Sequence, residues 1–135
     1  MRTLYLDASA LVKLVVRETE TAALTEYIAA AEDVFTSALA AVEVPRAAAR
    51  ADTGGNALAT AAEVLARCRR VELDDAIEAA AVGVQPVALK TVDAIHLASA
   101  LRVRELLGAV VVYDQQLACA ARDAGLTVVS PGRDA

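Results

Sequence analysis

The chain has 135 residues, of which 57% are hydrophobic and 23% are charged, and this composition is typical of one globular domain with its own core. Eighteen acids against 13 bases give a net charge of −5, which excludes a protein that holds nucleic acid by bulk positive charge. With three Tyr, one Phe and no Trp, a base-stacking platform is also disfavoured.

Short β-branched strands alternate with helices along the chain. The predicted strands cover 3–6, 34–36, a short stretch near 71, 108–114 and 127–129. The predicted helices cover 9–16, 19–31, 37–50, 57–69, a segment ending at 81, 91–106 and a segment ending at 124. We expect Ser9, Ser37 and Thr91 to begin three of these helices, and Asp74 or Asp75 to begin the fifth.

This alternation predicts an α/β fold in which helices cover a parallel sheet. The polar, glycine-rich segment 52–56 is the clearest turn. No internal repeat or linker divides the chain, so we expect a single domain over residues 1–135.

Two aspartates occupy equivalent places in this pattern. Asp7 and Asp114 each follow an apolar strand and precede a helix. The carboxyl edge of a parallel sheet is where α/β folds place ligands. The alternative is that both residues cap their helices, which stabilises a helix by about 1 kcal/mol. One aspartate can do both, so neither interpretation excludes the other.

Two further acids lie inside predicted helices. Glu43 lies among alanines and valines, where a packed glutamate needs a partner. The structural alternative to a functional role is an ion pair with Arg46 or Arg50, of which only Arg46 is a near neighbour on the helix. Asp93 lies in the first turn of an apolar helix, where the helix dipole favours an acid. His96 shares its face, and we expect a hydrogen-bonded core histidine rather than a metal ligand.

Convergence of these acids would change their chemistry. Carboxylates held close together repel one another and need compensation, and hard divalent cations with oxygen ligands provide it. Such a cluster can activate water and stabilise an in-line phosphoryl displacement. The spacing in the sequence leaves convergence open.

The remaining signals concern the location of the protein. The longest uncharged stretch, 79–89, is too short to span a bilayer, and Asp7 and Lys13 interrupt the N-terminal apolar run that a signal peptide requires. Cys68 and Cys119 match no metal or redox spacing, so both are expected to be reduced thiols. We therefore expect a cytoplasmic protein without membrane contact.

Read together, these segments resemble the PIN-domain ribonucleases, in particular the VapC-like toxins of toxin–antitoxin pairs. The resemblance runs through four blocks: YLDASALVKL, TSALAAVEVPRA, LKTVDAIHLASAL and VVVYDQQLACAARDAGLTVVSP. The third, with DAIHLA, is the most specific. The resemblance implies a PIN-like three-layer α/β/α fold with a central, mostly parallel sheet of short strands.

The resemblance also implies a function. Asp7, Glu43, Asp93 and Asp114 would form an acidic cluster that binds Mg²⁺ or Mn²⁺ and hydrolyses RNA, and Ser9 would assist by hydrogen bonding. A threonine or serine often stands two residues before the fourth acid in this family, whereas this chain has Val112 there, so Asp114 is the least secure of the four assignments.

The remaining expectations concern contacts and partners. Arg46, Arg50 and Lys13 would contact phosphates or, alternatively, form a solvated helix face. The implied partners are a cognate antitoxin that occupies the groove and a second copy of the chain in a homodimer.

Two other functions use the same residue types. A magnesium-dependent α/β phosphatase of the haloacid-dehalogenase type needs a second aspartate two residues after the first, where this chain has Ser9. A non-catalytic interaction module would use the acids only as caps and ion pairs, and would tolerate their replacement by amides.

Overall fold

A computed structural model of the chain describes residues 2–51 and 54–133. In these ranges the strands are β1 (Arg2–Leu6), β2 (Ala31–Ser37), β3 (Arg69–Val71), β4 (Ala109–Val111) and β5 (Val128–Val129). The helices are α1 (Ala8–Val15), α2 (Thr21–Ala29), α3 (Ala40–Ala51), α4 (Ala57–Ala66), α5 (Asp75–Val82), α6 (Thr91–Arg102) and α7 (Gln115–Asp123), with a 3₁₀ turn at Arg104–Leu106.

The strands form one sheet in the order β3-β2-β1-β4-β5, and every described strand pair is parallel. The strand β1 is central: Tyr5 pairs with Phe35 of β2 on one side and with Val110 of β4 on the other. Because all strands run the same way, their carboxyl ends meet at one edge. The chain winds outward from β1 in both directions, which opens a crevice at this edge between the two halves.

Two apolar cores confirm the predicted three layers. Leu4 and Leu6 of β1 pack on one face of the sheet with residues of α1 to α4. Tyr5 points to the opposite face, where it packs with residues of α5, α6 and α7. The period-2 alternation of β1 therefore feeds both cores, as expected of a strand covered on both sides.

Several predicted boundaries were wrong. The residue that caps α1 is Asp7 rather than Ser9. Thr91 begins α6 as expected, but the helix ends at Arg102, four residues earlier than predicted. The strand β4 ends at Val111, three residues earlier than predicted. The fifth helix begins after a cap at Asp74, one of the two alternatives.

Other sequence signals are present as expected. Gly125 follows α7 with a positive φ of 94°, a conformation that glycine adopts without strain. In the predicted turn, Gly55 also has a positive φ, of 86°, whereas residues 52 and 53 lie outside the described ranges. Over the described ranges, no helix combines the length and apolar character needed to cross a bilayer.

Candidate active site

Asp7 and Asp114 lie at the same edge of the sheet. Asp7 directly follows β1 and caps α1, where its Oδ1 accepts a hydrogen bond from the amide of Ala10 at 3.1 Å. Asp114 follows the neighbouring strand β4 and caps α7, accepting from the amide of Gln116 at 3.3 Å. Both aspartates are therefore helix caps, and both stand where the parallel strands end. Asp7 is almost fully buried, whereas Asp114 is partly exposed.

A single hydroxyl connects the two strand ends. Ser9 Oγ donates to Asp7 Oδ1 at 2.7 Å and accepts from the backbone amide of Tyr113 at 3.2 Å. Tyr113 immediately precedes Asp114 in the chain. Ser9 thus fixes the direction of the Asp7 carboxylate and holds the end of β4 beside it.

Asp93 completes a group of three interacting carboxyls. It lies in the first turn of α6 and is partly buried. Burial, together with the carboxyls of Asp114 and Asp7, raises its pKa to about 6, against the opposing effect of His96. Burial also raises the pKa of Asp7, against the opposing effects of His96, Ser9 and Ala10. Asp93 is therefore close enough to both of the other acids to be repelled by their negative charge.

Glu43 reaches this region from α3 and is held by a histidine. Glu43 Oε1 lies 2.7 Å from Nε2 of His96, and the other ring nitrogen, Nδ1, lies 2.8 Å from the hydroxyl oxygen of Tyr5. The alternative of an ion pair between Glu43 and Arg46 or Arg50 was wrong, because the buried His96 takes the carboxylate instead. The expectation that His96 is a hydrogen-bonded core residue is confirmed. Sequence reasoning did not single out Tyr5, since nothing in an apolar strand marks one tyrosine as polar in role.

An open groove of about 680 Å³ runs beside the acids. Glu43, Ser9 and Asp114 line it together with Arg46 and Arg50, one turn apart on α3. Both arginines are exposed, and neither forms an ion pair with another described residue.

Lys13 also lines this groove, but its charge is paired with two glutamates. Its Nζ lies 2.9 Å from Glu18 Oε1 and 3.0 Å from Glu20 Oε1, and 4.8 Å from the centre of the Tyr113 ring. Arg133 pairs with the other Glu20 oxygen at 2.8 Å. Lys13 is thus buried within an ion-pair network, and a phosphate would have to displace a carboxylate to reach it.

The donor chemistry of the four acids suits a hard divalent cation, because all of them offer carboxylate oxygens. Mutual repulsion is the property that such an ion relieves. Over residues 2–51 and 54–133, however, no group of three or more His, Cys, Asp or Glu side chains is already arranged to hold a metal ion. The acids are brought to one region, but they are not gathered around one point.

The class of protein follows from its similarity to known proteins. The family model of the PIN domain matches residues 4–123, and the chain therefore belongs to the PIN-domain family. Among curated proteins it is 40% identical to Ribonuclease VapC46 of Mycobacterium tuberculosis (strain ATCC 25618 / H37Rv) over 131 residues, 97% of this chain and 99% of that protein. It is also 40% identical over 134 residues to Ribonuclease VapC35 of the same species, covering 96% and 98% of the two chains.

Solved structures share the fold. The toxin VapC20 of Mycobacterium tuberculosis, described as cleaving the sarcin–ricin loop, superposes with a TM-score of 0.74 at 19% identity over 95% of this chain and 99% of that one. A chain of the VapBC2 assembly of Rickettsia felis, solved with a promoter DNA fragment, gives a TM-score of 0.69 at 10% identity over 96% and 98%. At these identities the likeness concerns the fold.

Proposed function

We propose that the protein is an endoribonuclease that acts as the toxin of a toxin–antitoxin pair and hydrolyses RNA with the help of Mg²⁺ or Mn²⁺. The observation that carries the proposal is the placement of Asp7 and Asp114 at the carboxyl edge of the sheet, with Asp93 close enough to both for their carboxyls to raise its pKa. The groove beside them is lined by Arg46 and Arg50, which pair with no acid among the described residues. Relatives at 40% identity over nearly the whole chain carry the name ribonuclease, which supports the same activity.

Asp7, Glu43, Asp93 and Asp114 would hold the ion. Its binding would offset the burial and repulsion that raise the pKa of Asp93 to about 6. The chemistry that such an ion supplies is activation of water and stabilisation of charge on the phosphoryl oxygens.

The other side chains of the site have separate tasks. Ser9 keeps the Asp7 carboxylate in a fixed direction through its 2.7 Å hydrogen bond, so little reorganisation of that ligand is needed. Arg46 and Arg50 lie on one face of α3 and would contact successive phosphates of the RNA in the groove. Binding would therefore depend on local positive charge despite the net charge of −5.

The proposed partners are a cognate antitoxin and a second copy of the chain. An antitoxin in the groove would place a basic side chain against the acids, and so would block both the metal ligands and the arginines at once. For the homodimer, the connection from α5 to α6 offers an apolar surface. Val82 and Val87 there are 88% and 83% exposed, and they line a cavity of about 350 Å³ with Leu73 and Leu89.

The test is cleavage of a pool of structured cellular RNAs by the purified chain. Mn²⁺, Mg²⁺ and a chelator form the metal arms, and Asp93→Asn is compared with Glu63→Gln, a change at an exposed acid on α4. We expect cleavage that requires the metal, persists in Glu63→Gln and is lost in Asp93→Asn. Equal cleavage by Asp93→Asn would mean that the activity does not belong to this site, and no cleavage or metal binding by the wild type would favour an interaction module.

A further inference from the structure

The buried side chains of Tyr5 and His96 do not belong to the acidic cluster, but His96 forms a hydrogen bond with Glu43, one of the four acids. His96 is 2% exposed and Tyr5 is 1% exposed, so water does not compete for their hydrogen bonds. The chain of contacts runs from the Tyr5 hydroxyl to Nδ1 of His96 at 2.8 Å, and from Nε2 to Glu43 Oε1 at 2.7 Å. Glu43 is the outermost member, and it also lines the groove.

From this geometry we infer that Tyr5 and His96 are positioning residues, which fix the carboxylate of Glu43 for metal binding. The inference rests on the proposed function. It deepens that function by assigning a role to two core residues that do not touch the metal or the RNA.

The proton positions follow from the chemistry of the three groups. A glutamate carboxylate only accepts hydrogen bonds, so Nε2 of His96 has to carry a proton to bond Glu43. The tyrosine hydroxyl keeps its proton at neutral pH and can donate it to Nδ1. In a neutral ring these two bonds select one tautomer, and a ring protonated on Nδ1 alone would place a lone pair against the carboxylate of Glu43.

Rigidity of the surroundings makes the pair effective. Tyr5 lies in the central strand β1, and its ring meets the imidazole edge to face at 6.0 Å between ring centres. His96 lies in the middle of α6, the most buried helix of its layer. Glu43 therefore takes its direction from the sheet and from α6, rather than from α3 alone. Partners that orient a metal-binding side chain in this way commonly change metal affinity by 10- to 100-fold.

The first measurement needs no metal. Nitrogen NMR of the His96 ring reports which nitrogen carries the proton. We expect Nε2 to be protonated, with Nδ1 accepting from Tyr5. A neutral ring protonated on Nδ1 would overturn the inference, whatever the fate of the proposed function.

The second measurement is Mn²⁺ affinity by calorimetry for Tyr5→Phe, which removes one hydroxyl, and for a pair of His96 variants. His96→Leu removes the donor to Glu43, whereas His96→Gln offers an amide donor near the same place. Thr36→Val is the matched control, because Thr36 is equally buried and its hydroxyl donates to the backbone carbonyl of Leu6 at 2.7 Å, away from Glu43.

We expect about tenfold weaker Mn²⁺ binding in Tyr5→Phe and His96→Leu, and values within about twofold of wild type in His96→Gln and Thr36→Val. Unchanged affinity in Tyr5→Phe would overturn the inference, and so would equal weakening in Thr36→Val, which would indicate a general loss of core stability. Absence of Mn²⁺ binding by the wild type would overturn the proposed metal site and this role together.

Discussion

Removing the charge of Asp93 should stabilise the metal-free protein while it destroys activity. One pKa unit corresponds to about 1.4 kcal/mol, so raising the pKa from 3.8 to about 6 corresponds to at most about 3 kcal/mol. Because Asp93 is only partly buried, solvent screening reduces the expected cost to about 1–2 kcal/mol. Asp93→Asn should raise the free energy of unfolding at pH 7 by about this amount.

The same pKa shift predicts how the stability difference between the variant and wild type changes with pH. The pKa of Asp93 is raised in the folded state, so its ionisation opposes folding above pH 6. The cost declines as the pH falls through about 6, is reduced by about half at pH 5, and vanishes below the unfolded-state value of 3.8. The stability difference between Asp93→Asn and wild type should shrink accordingly.

The assay is urea denaturation of metal-free wild type, Asp93→Asn and the exposed-site control Glu63→Gln at pH 7 and pH 5. A variant that is no more stable than wild type at pH 7 would refute the reasoning. So would a gain that is equally large at both pH values, or one that Glu63→Gln reproduces.

Three further outcomes follow from the site. Asp7→Asn should abolish cleavage yet retain the cap of α1, whereas Asp7→Ala should lose about 1 kcal/mol of stability as well, as denaturation would show. Arg46→Ala and Arg50→Ala should each raise the KM for RNA and reduce by about one the slope of log binding constant against log salt concentration. The exposed-residue control Arg67→Ala should leave this slope unchanged. An unchanged slope in the Arg46 and Arg50 variants would place the RNA elsewhere. Mn²⁺ should raise the Tm of wild type but not of Asp93→Asn, and an equal rise in both would contradict the proposed site.

Features that depend on residues close together in the sequence could be predicted, whereas contacts between distant residues could not. Apolar strands ending in acids are local features, so the positions of Asp7 and Asp114 at strand ends could be predicted. Both capping alternatives for α1 were oxygen-bearing side chains, and Asp7 takes the role because it directly follows the strand in extended conformation, with Ser9 already inside the helix.

The partner of Glu43 was beyond such local reasoning. His96 lies 53 residues away on another helix. The helices α3 and α6 cover opposite faces of the sheet, so only the completed fold brings these two side chains together. The same holds for Tyr5, whose hydroxyl partner is 91 residues distant. A helical repeat identifies near neighbours such as Arg46, so Arg46 was a partner that the sequence could suggest, whereas His96 was not.

The strand order has a consequence for protein synthesis. Asp7 and Asp114 meet only because β4 docks beside β1, joining segments more than a hundred residues apart. A nascent chain that has left the ribosome only as far as α6 carries Asp7, Glu43 and Asp93 but lacks the strand that leads to Asp114. An RNA-cleaving activity that needs both strands would thus arise only after β4 has left the ribosome.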